Sequence, residues 1–290
     1  MRKMRPTVAI LTDFQTGNFY TAQMEGVLCS RAPEARIVRV TDAVLPQNIL
    51  HGAFILSQTV PFFPEETIHI AVVDPGVGSQ RELICAVLNE SWKRQRILCP
   101  NNGILSFFLE QNAVAEVFLL EDPVCFRESR GSVSSTFHGR DILAPSAAFL
   151  ANGGLPEALG SRKTPETLLR LDLPRPRTMR DAETDRVKVF GEVLFADSFG
   201  NLVTNITPQD IPSGVSNKEL LRNGSVTLGE TRFLPVRTYA DLPPGTPVVL
   251  FGSQGFLELA LVNGNLAETQ NIHPGTSFCL EPTAENTKTD

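Results

Sequence analysis

Apolar residues follow two rhythms along this chain. In the first half, short runs of apolar and β-branched residues alternate with segments whose apolar positions recur every three or four residues. Thr7 to Thr12 (TVAILT), Arg36 to Val40, Ile68 to Val73, Leu83 to Leu88, Arg96 to Cys99 and Glu116 to Leu120 read as strands. Tyr20 to Ser30, Ile49 to Val60, Ile104 to Glu110 and Ile142 to Ala151 read as helices. Pro61 and Pro64 end the second helix, and Gly153 and Gly154 end the last. Apolar strands alternating with helices predict an α/β domain with a mainly parallel sheet covered on both faces.

The rhythm lapses between Ser161 and Asp185, a stretch rich in proline and arginine that reads as a linker. Strand patterns then dominate: Val187 to Ala196, Leu202 to Ile206, Ser225 to Leu228, Thr231 to Pro235, Pro247 to Phe251 and Phe256 to Val262, with Gly, Pro and Asn turns between them. They predict a small all-β domain, an antiparallel barrel or sandwich. The expected organisation is therefore 1–160 as the α/β domain, 161–185 as linker, 186–281 as the β domain and 282–290 as a frayed tail.

Composition narrows the function classes. The 290 residues are 42% hydrophobic and 20% charged, as in an ordinary globular protein. A net charge of −6, with no run of Lys and Arg, speaks against a nucleic-acid partner. The cysteines (Cys29, Cys85, Cys99, Cys125 and Cys279) form no C-x-x-C pair, so neither a zinc site nor a disulfide framework is expected. The apolar run after the basic Met1 to Pro6 stops at Asp13, too soon for a signal peptide, and no stretch is long enough to span a bilayer. A cytoplasmic protein with no membrane partner is expected.

Three polar clusters fall at the carboxyl ends of predicted strands, where open α/β sheets bind ligands. Thr12-Asp13-Phe14 follows the first strand. A carboxylate there can accept both hydroxyls of a ribose, or it can cap a helix. Asp74-Pro75-Gly76-Val77-Gly78-Ser79, followed by Arg81, allows close backbone approach, yet it lacks the G-x-G-x-x-G or Lys-Ser/Thr pattern of a phosphate loop. Asp74 and Arg81 can equally be a structural pair closing a turn. Phe137-His138-Gly139-Arg140-Asp141 precedes the last helix, and His138 can be a base, a donor or a structural imidazole. No G-x-S-x-G elbow or H-E-x-x-H spacing supports a serine or metal hydrolase.

Taken together, ILTDF (10–14), AQMEGVL (22–28), VVDPGVGSQR (72–81), PNNGILS (100–106), FHGRD (137–141), FADSFGNLVTNI (195–206) and GSQGFLELAL (252–261) resemble the S-adenosyl-L-methionine (SAM) hydroxide adenosyltransferase family, relatives of the fluorinases and chlorinases. The resemblance implies a SAM-binding α/β domain followed by a β domain. It implies hydrolysis of SAM to adenosine and L-methionine, with SAM as substrate and neither cofactor nor metal. It also implies a homotrimer with the site between neighbouring subunits. By position, Asp13 matches the ribose-holding aspartate, and Asp74, Arg81 and His138 the catalytic Asp-Arg-His set. Asp197, Phe199 and Asn201 match a loop facing the methionine amino group and the adenine. Ser253 and Gln254 match the loop near the methionine carboxylate. Halide-using relatives carry Tyr-Pro-x-Thr where this chain has Asp74 to Val77, and Tyr-Ser where it has His138-Gly139; both differences imply water as the nucleophile. The fluorinase places an arginine where this chain has Gln254. Two rivals remain: a SAM- or adenosine-binding sensor without turnover, and a 5′-halogenase.

Overall fold

The computed structural model describes residues 5–122, 133–180, 187–211 and 225–281. Cys125, the end of the expected linker (181–185) and the tail (282–290) lie outside the described residues. The chain divides into two compact units, Met1–Asp172 and Leu173–Asp290.

The first unit is built on a seven-stranded sheet: β1 (Thr7–Thr12), β2 (Arg36–Thr41), β3 (Ile68–Val72), β4 (Leu83–Leu88), β5 (Arg96–Pro100), β6 (Val114–Leu119) and β7 (Arg162–Lys163), in the order β2-β1-β3-β5-β4-β6-β7. β2, β1, β3 and β5 are mutually parallel. β4 runs antiparallel to both β5 and β6. The reversal follows from chain length, because β4 and β5 are joined by only residues 89–95, too few for the helical crossover that a parallel pair requires.

Both faces of this sheet are covered, which is why its central strands are mainly apolar on both sides. Ile68, Ile70 and Val72 of β3 point into one core with Met24 and Leu28 of helix α1 (Tyr20–Arg31) and Ala144, Ala147 and Ala148 of helix α4 (Ala144–Ala151). The alternate residue Ala71 and the following Val73 point into a second core with Ala53 and Leu56 of α2 (Ile49–Thr59) and Phe108 and Leu109 of α3 (Ser106–Glu110). A π-helical turn, Gly139–Leu143, leads into α4.

The second unit is a closed, mixed barrel. Strands β9 (Val187–Ala196), β10 (Leu202–Thr204), β11 (Ser225–Leu228), β12 (Thr231–Pro235), β13 (Pro247–Phe251), β14 (Leu257–Leu261) and β15 (Ser277–Glu281) follow one another in the order β10-β14-β13-β12-β11-β15-β9, and pairing of β9 with β10 closes the ring. One pairing, β12 with β13, is parallel, against the antiparallel expectation. Residues 236–246 separate these strands and contain a 3₁₀ turn, so the chain has the length to cross over rather than fold back as a hairpin. β15 has no counterpart among the expected strands, yet it fills the gap between β9 and β11.

The described part of the proline- and arginine-rich stretch carries two short strands. β7 extends the first sheet, and Leu168 and Leu171 pack on its second core. Beyond Leu173, β8 (Arg177–Arg180) pairs with β9. Among the described residues, no helix is long and apolar enough to cross a membrane.

Candidate active site

The carboxyl end of β3 is the centre of the site. β3 gives way after Val72 to the turn Asp74–Ser79, in which Val77 N bonds Asp74 O and Ser79 N bonds Gly76 O. Gly78 has φ +82°, and a Cβ there would stand 2.6 Å from the carbonyl oxygen of Ser135. Glycine is required on both counts, and it lets the turn lie against the segment that leads to His138.

Asp74 and Arg81 form a two-pronged ion pair. Arg81 Nε donates to Asp74 Oδ1 at 2.6 Å, and Arg81 Nη2 donates to Oδ2. The side chains are only 9% and 7% exposed, so little water screens them. Arg81 Nη2 also reaches His138 Nδ1 at 3.0 Å. A guanidinium has donors only, so Nδ1 must accept, and a neutral His138 ring carries its proton on Nε2. Burial and the Arg81 charge hold the His138 pKa below the ordinary imidazole value, against weaker upward pulls from Asp74 and Asp141. The imidazole is thus neutral near pH 7 and presents Nε2–H away from Arg81.

Asp13 lies one strand over. Its backbone N bonds Val72 O across the end of the β1–β3 ladder, at 3.3 Å. Asp13 Oδ2 accepts Gln47 N at 2.7 Å, and Gln47 sits in the left-handed region at φ 61°. Asp13 caps no helix: α1 starts at Tyr20, with Phe19 as its N-cap. Asp42 steadies this end of β1 by accepting from Thr12 Oγ1 and Thr21 Oγ1 at 3.1 and 2.9 Å. His51 Nδ1 accepts Leu45 N at 3.0 Å and shapes the loop that delivers Gln47.

Aromatic contacts join the Asp13 cluster to the His138 cluster. Phe14, Tyr20 and Phe137 pack edge to face or tilted, with centroids 5.2–5.7 Å apart. Arg140 lies 5.1 Å from the Phe137 ring centroid and is gripped by the buried Asp141, which also accepts Ser134 N at 3.0 Å. Arg140 and Asp141 therefore fix the loop that carries His138. The FHGRD motif contains them, but nothing in its spacing distinguishes their role from that of the histidine.

The second unit holds its candidates in two turns. Asp197 Oδ1 accepts the backbone N–H of Phe199 and of Asn201, each at 2.9 Å, while Oδ2 accepts Asn201 Nδ2 at 3.1 Å. Phe199 projects from that turn, 75% exposed. Ser253 and Gln254 are exposed in the β13–β14 turn. No hydrogen bond joins the two turns among the described residues, and they adjoin opposite ends of β14. Glu258, the second residue of that strand, accepts Tyr239 Oη at 2.6 Å. Burial, helped by Asp197, raises the Glu258 pKa against the lowering effect of that hydrogen bond. Neither Tyr239 nor Glu258 was singled out by sequence, since an acid inside a strand reads as a solvent-facing position. Among the described residues, no group of three His, Cys, Asp or Glu side chains is placed to hold a metal ion.

Residues 8–160 match the model of the SAM hydroxide adenosyltransferase N-terminal domain, and residues 191–279 match that of its C-terminal domain. The chain belongs to the SAM hydroxide adenosyltransferase family. It is 34% identical over 276 residues to a Thermus thermophilus protein named (R)-S-adenosyl-L-methionine hydrolase, covering 94% of this chain and 98% of that one. It is 26% identical to a Methanocaldococcus jannaschii protein of the same name, covering 91% and 92%. An Actinoplanes fluorinase is also 26% identical, with 95% and 97% covered. Among solved structures, an uncharacterized conserved protein from Thermotoga maritima superposes with a TM-score of 0.80 at 29% identity, covering 94% of this chain and 99% of that one. The family has members named hydrolase and members named fluorinase, so the residues at the reaction centre must decide which chemistry this chain performs.

Proposed function

We propose that this protein hydrolyses SAM to adenosine and L-methionine by in-line attack of water at the ribose 5′ carbon. The observation that carries the proposal is the Asp74–Arg81–His138 cluster with its buried ion pair, in a chain similar over nearly its whole length to proteins named SAM hydrolase. The sulfonium of SAM is already a good leaving group. The protein must hold the substrate and aim a water opposite sulfur; the proposed chemistry needs no cofactor.

The hydrogen-bond pattern supports a division of roles. Arg81 occupies His138 Nδ1, so His138 offers an N–H at Nε2 and can hold the oxygen of the attacking water. Asp74 keeps lone pairs beyond those taken by Arg81 and is the group that receives the water's proton. Asp13 has one oxygen fixed by Gln47 N, and its Oδ1 remains for the ribose diol. A carboxylate at Asp74 also opposes a halide by like-charge repulsion, which favours water over the fluorinase chemistry.

In the second unit, Asp197 and Asn201 are assigned to the methionine amino group, Phe199 to the adenine, and Ser253 and Gln254 to the carboxylate. Gln254 offers a neutral amide there, a weaker carboxylate partner than an arginine. A homotrimer, with these turns completing a neighbour's site, is part of the same proposal. Its support is that Asp197, Phe199, Ser253 and Gln254 lie at exposed turns of a separate unit.

Incubation with SAM in ¹⁸O-labelled water tests the reaction. Labelled adenosine and methionine are expected. SAM bound but unchanged would leave a sensor, 5′-haloadenosine in the presence of halide would indicate a halogenase, and unlabelled adenosine would exclude attack by water at carbon. Light scattering of the purified protein tests the trimer.

A further inference from the structure

PNNGILS (100–106) has no role in the chemistry described so far, although it runs beside the strand that carries Asp74. The β3–β5 ladder ends with Ile70 opposite Leu98, and β5 stops at Pro100. Beyond that point the backbone of β3 has lost its ladder partner on this side. Val73 O, one residue before Asp74, is nevertheless satisfied: Asn102 Nδ2 donates to it at 2.8 Å. On the opposite side, Val72 O accepts Asp13 N. Two successive carbonyls at the end of β3 are therefore held from opposite edges, one by the backbone of the proposed ribose ligand and one by the Asn102 amide.

The amide is itself held. Its oxygen accepts Ile104 N at 3.3 Å, which directs its nitrogen toward Val73. The following Gly103 has φ +99°, and a Cβ there would meet Leu171 at 2.8 Å. Leu171 N in turn bonds Ser106 Oγ at 2.7 Å, so residues 102–106 form a braced turn. Asn101, next in sequence, faces elsewhere. Its Nδ2 donates to Glu82 Oε2 at 2.8 Å and its Oδ1 accepts Leu169 N at 3.0 Å.

We propose that Asn102 is a positioning residue for the reaction: by fixing Val73 C=O it sets the backbone from which Asp74 reaches Arg81 and the attacking water. Asn101 fastens the neighbouring segment and has no such role. The inference rests on the hydrolase reading above. A nucleophile displaced by about 1 Å loses on the order of a hundredfold in rate, so a small backbone relaxation at Asp74 is enough to be seen.

The test compares Asn102→Ala with Asn101→Ala, each assayed well below its melting temperature. Asn102→Ala is expected to lower kcat about ten- to a hundredfold, with SAM affinity within about threefold of the parent. Asn101→Ala is expected to melt earlier than the parent but to keep kcat within about twofold. Equal kcat losses in the two variants, or a loss confined to KM, would overturn the positioning role. Should Asn102→Ala fail to fold, Asn102→Asp keeps the size and the bond to Ile104 N while removing the donor, and a parent-like kcat in that variant overturns the proposal. A parent enzyme that releases no adenosine would instead overturn the hydrolase reading itself.

Discussion

The two candidate regions are built in opposite ways. In the first unit, polar side chains reach partners far along the chain: Arg81 bonds His138 57 residues away, and Asp13 accepts from Gln47 across 34. In the second unit, Asp197 bonds within its own turn, to residues two and four positions on. Long-range contacts can exist only once the domain has folded, and around Arg81 they are shielded enough from water to hold a fixed geometry. Local turns form cheaply and stay at the surface. The difference suits chemistry in the first region and ligand recognition in the second, and mutations should separate the two.

The largest effect is expected at Asp74. Asp74→Asn leaves an acceptor for Arg81 but removes the charge and the proposed base. Turnover should fall by about 10²–10⁴, with SAM affinity near that of the parent. It should also cost stability, because loss of one partner from a buried ion pair costs roughly 3–5 kcal/mol. Single-turnover rates at a temperature where the variant is folded, alongside calorimetric SAM binding, make the measurement. A variant that melts early yet turns over normally would show the ion pair to be structural, and the proposed contrast between the two regions would collapse.

How much of this was legible in sequence differs between the regions for a physical reason. The first sheet could be anticipated because burial on both faces demands uninterrupted apolar strands, and β1 and β4 begin and end where that pattern does. Asp13, Asp74, Arg81 and His138 were visible because they interrupt such patterns at strand ends or stand in short polar motifs. The partners that hold them were less visible. Asn102 acts through a side chain reaching an adjacent strand, and Asp42 through two threonine hydroxyls, neither of which leaves a periodic trace. In the barrel, β15 and the parallel β12–β13 pair depend on long-range closure, which strand pattern does not encode.

Acid should loosen the first unit. Burial pushes the pKa of His69 down to about 4, despite a hydrogen bond to Gln95 that works the other way, and burial also pushes His51 down to about 4. In the unfolded chain both would titrate near the ordinary value of about 6.5. Between those values the unfolded state binds more protons than the folded one, so stability is present above about pH 6.5 and is lost as pH falls toward 4. His69 alone should remove roughly 3 kcal/mol over that window. Trp92, the only tryptophan, lies in the first unit beside Phe108, so its fluorescence follows that unit. Denaturant midpoints read by Trp92 should decline steadily from pH 7 to 4. A flat profile would mean that these imidazoles are hydrated or charged in the folded state.

A smaller effect, and on a different quantity, is expected at Asp13. Asp13→Ala removes the proposed ribose acceptor and leaves Gln47 N without its partner. Loss of a charge-assisted hydrogen bond is worth about 1.5–3 kcal/mol, so SAM should bind roughly ten- to a hundredfold more weakly. The rate of the bound complex should change less than the affinity. Calorimetry that finds parent-like binding would remove Asp13 from the ribose and leave it as an anchor for the Gln47 loop.

The smallest effect belongs to the second unit and tests the comparison from its other side. Phe199 is 75% exposed at the tip of a turn that Asp197 holds through backbone N–H groups, without the ring. Phe199→Ala should therefore leave the melting temperature almost unchanged, since little buried surface is lost. If the ring stacks on adenine, the cost is about 0.5–1.5 kcal/mol, a two- to tenfold rise in KM. At saturating SAM, kcat should match the parent, because the ring is not part of the cluster proposed to aim the water. Assembly complicates this in a measurable way: a ring that also seats the turn on a neighbouring subunit makes KM depend on enzyme concentration, whereas a ring that touches only adenine does not. The assay is best run at two enzyme concentrations a hundredfold apart. A fall in kcat with KM unchanged would place Phe199 with the chemical machinery, and the division between a chemical region and a recognising one would have to be redrawn.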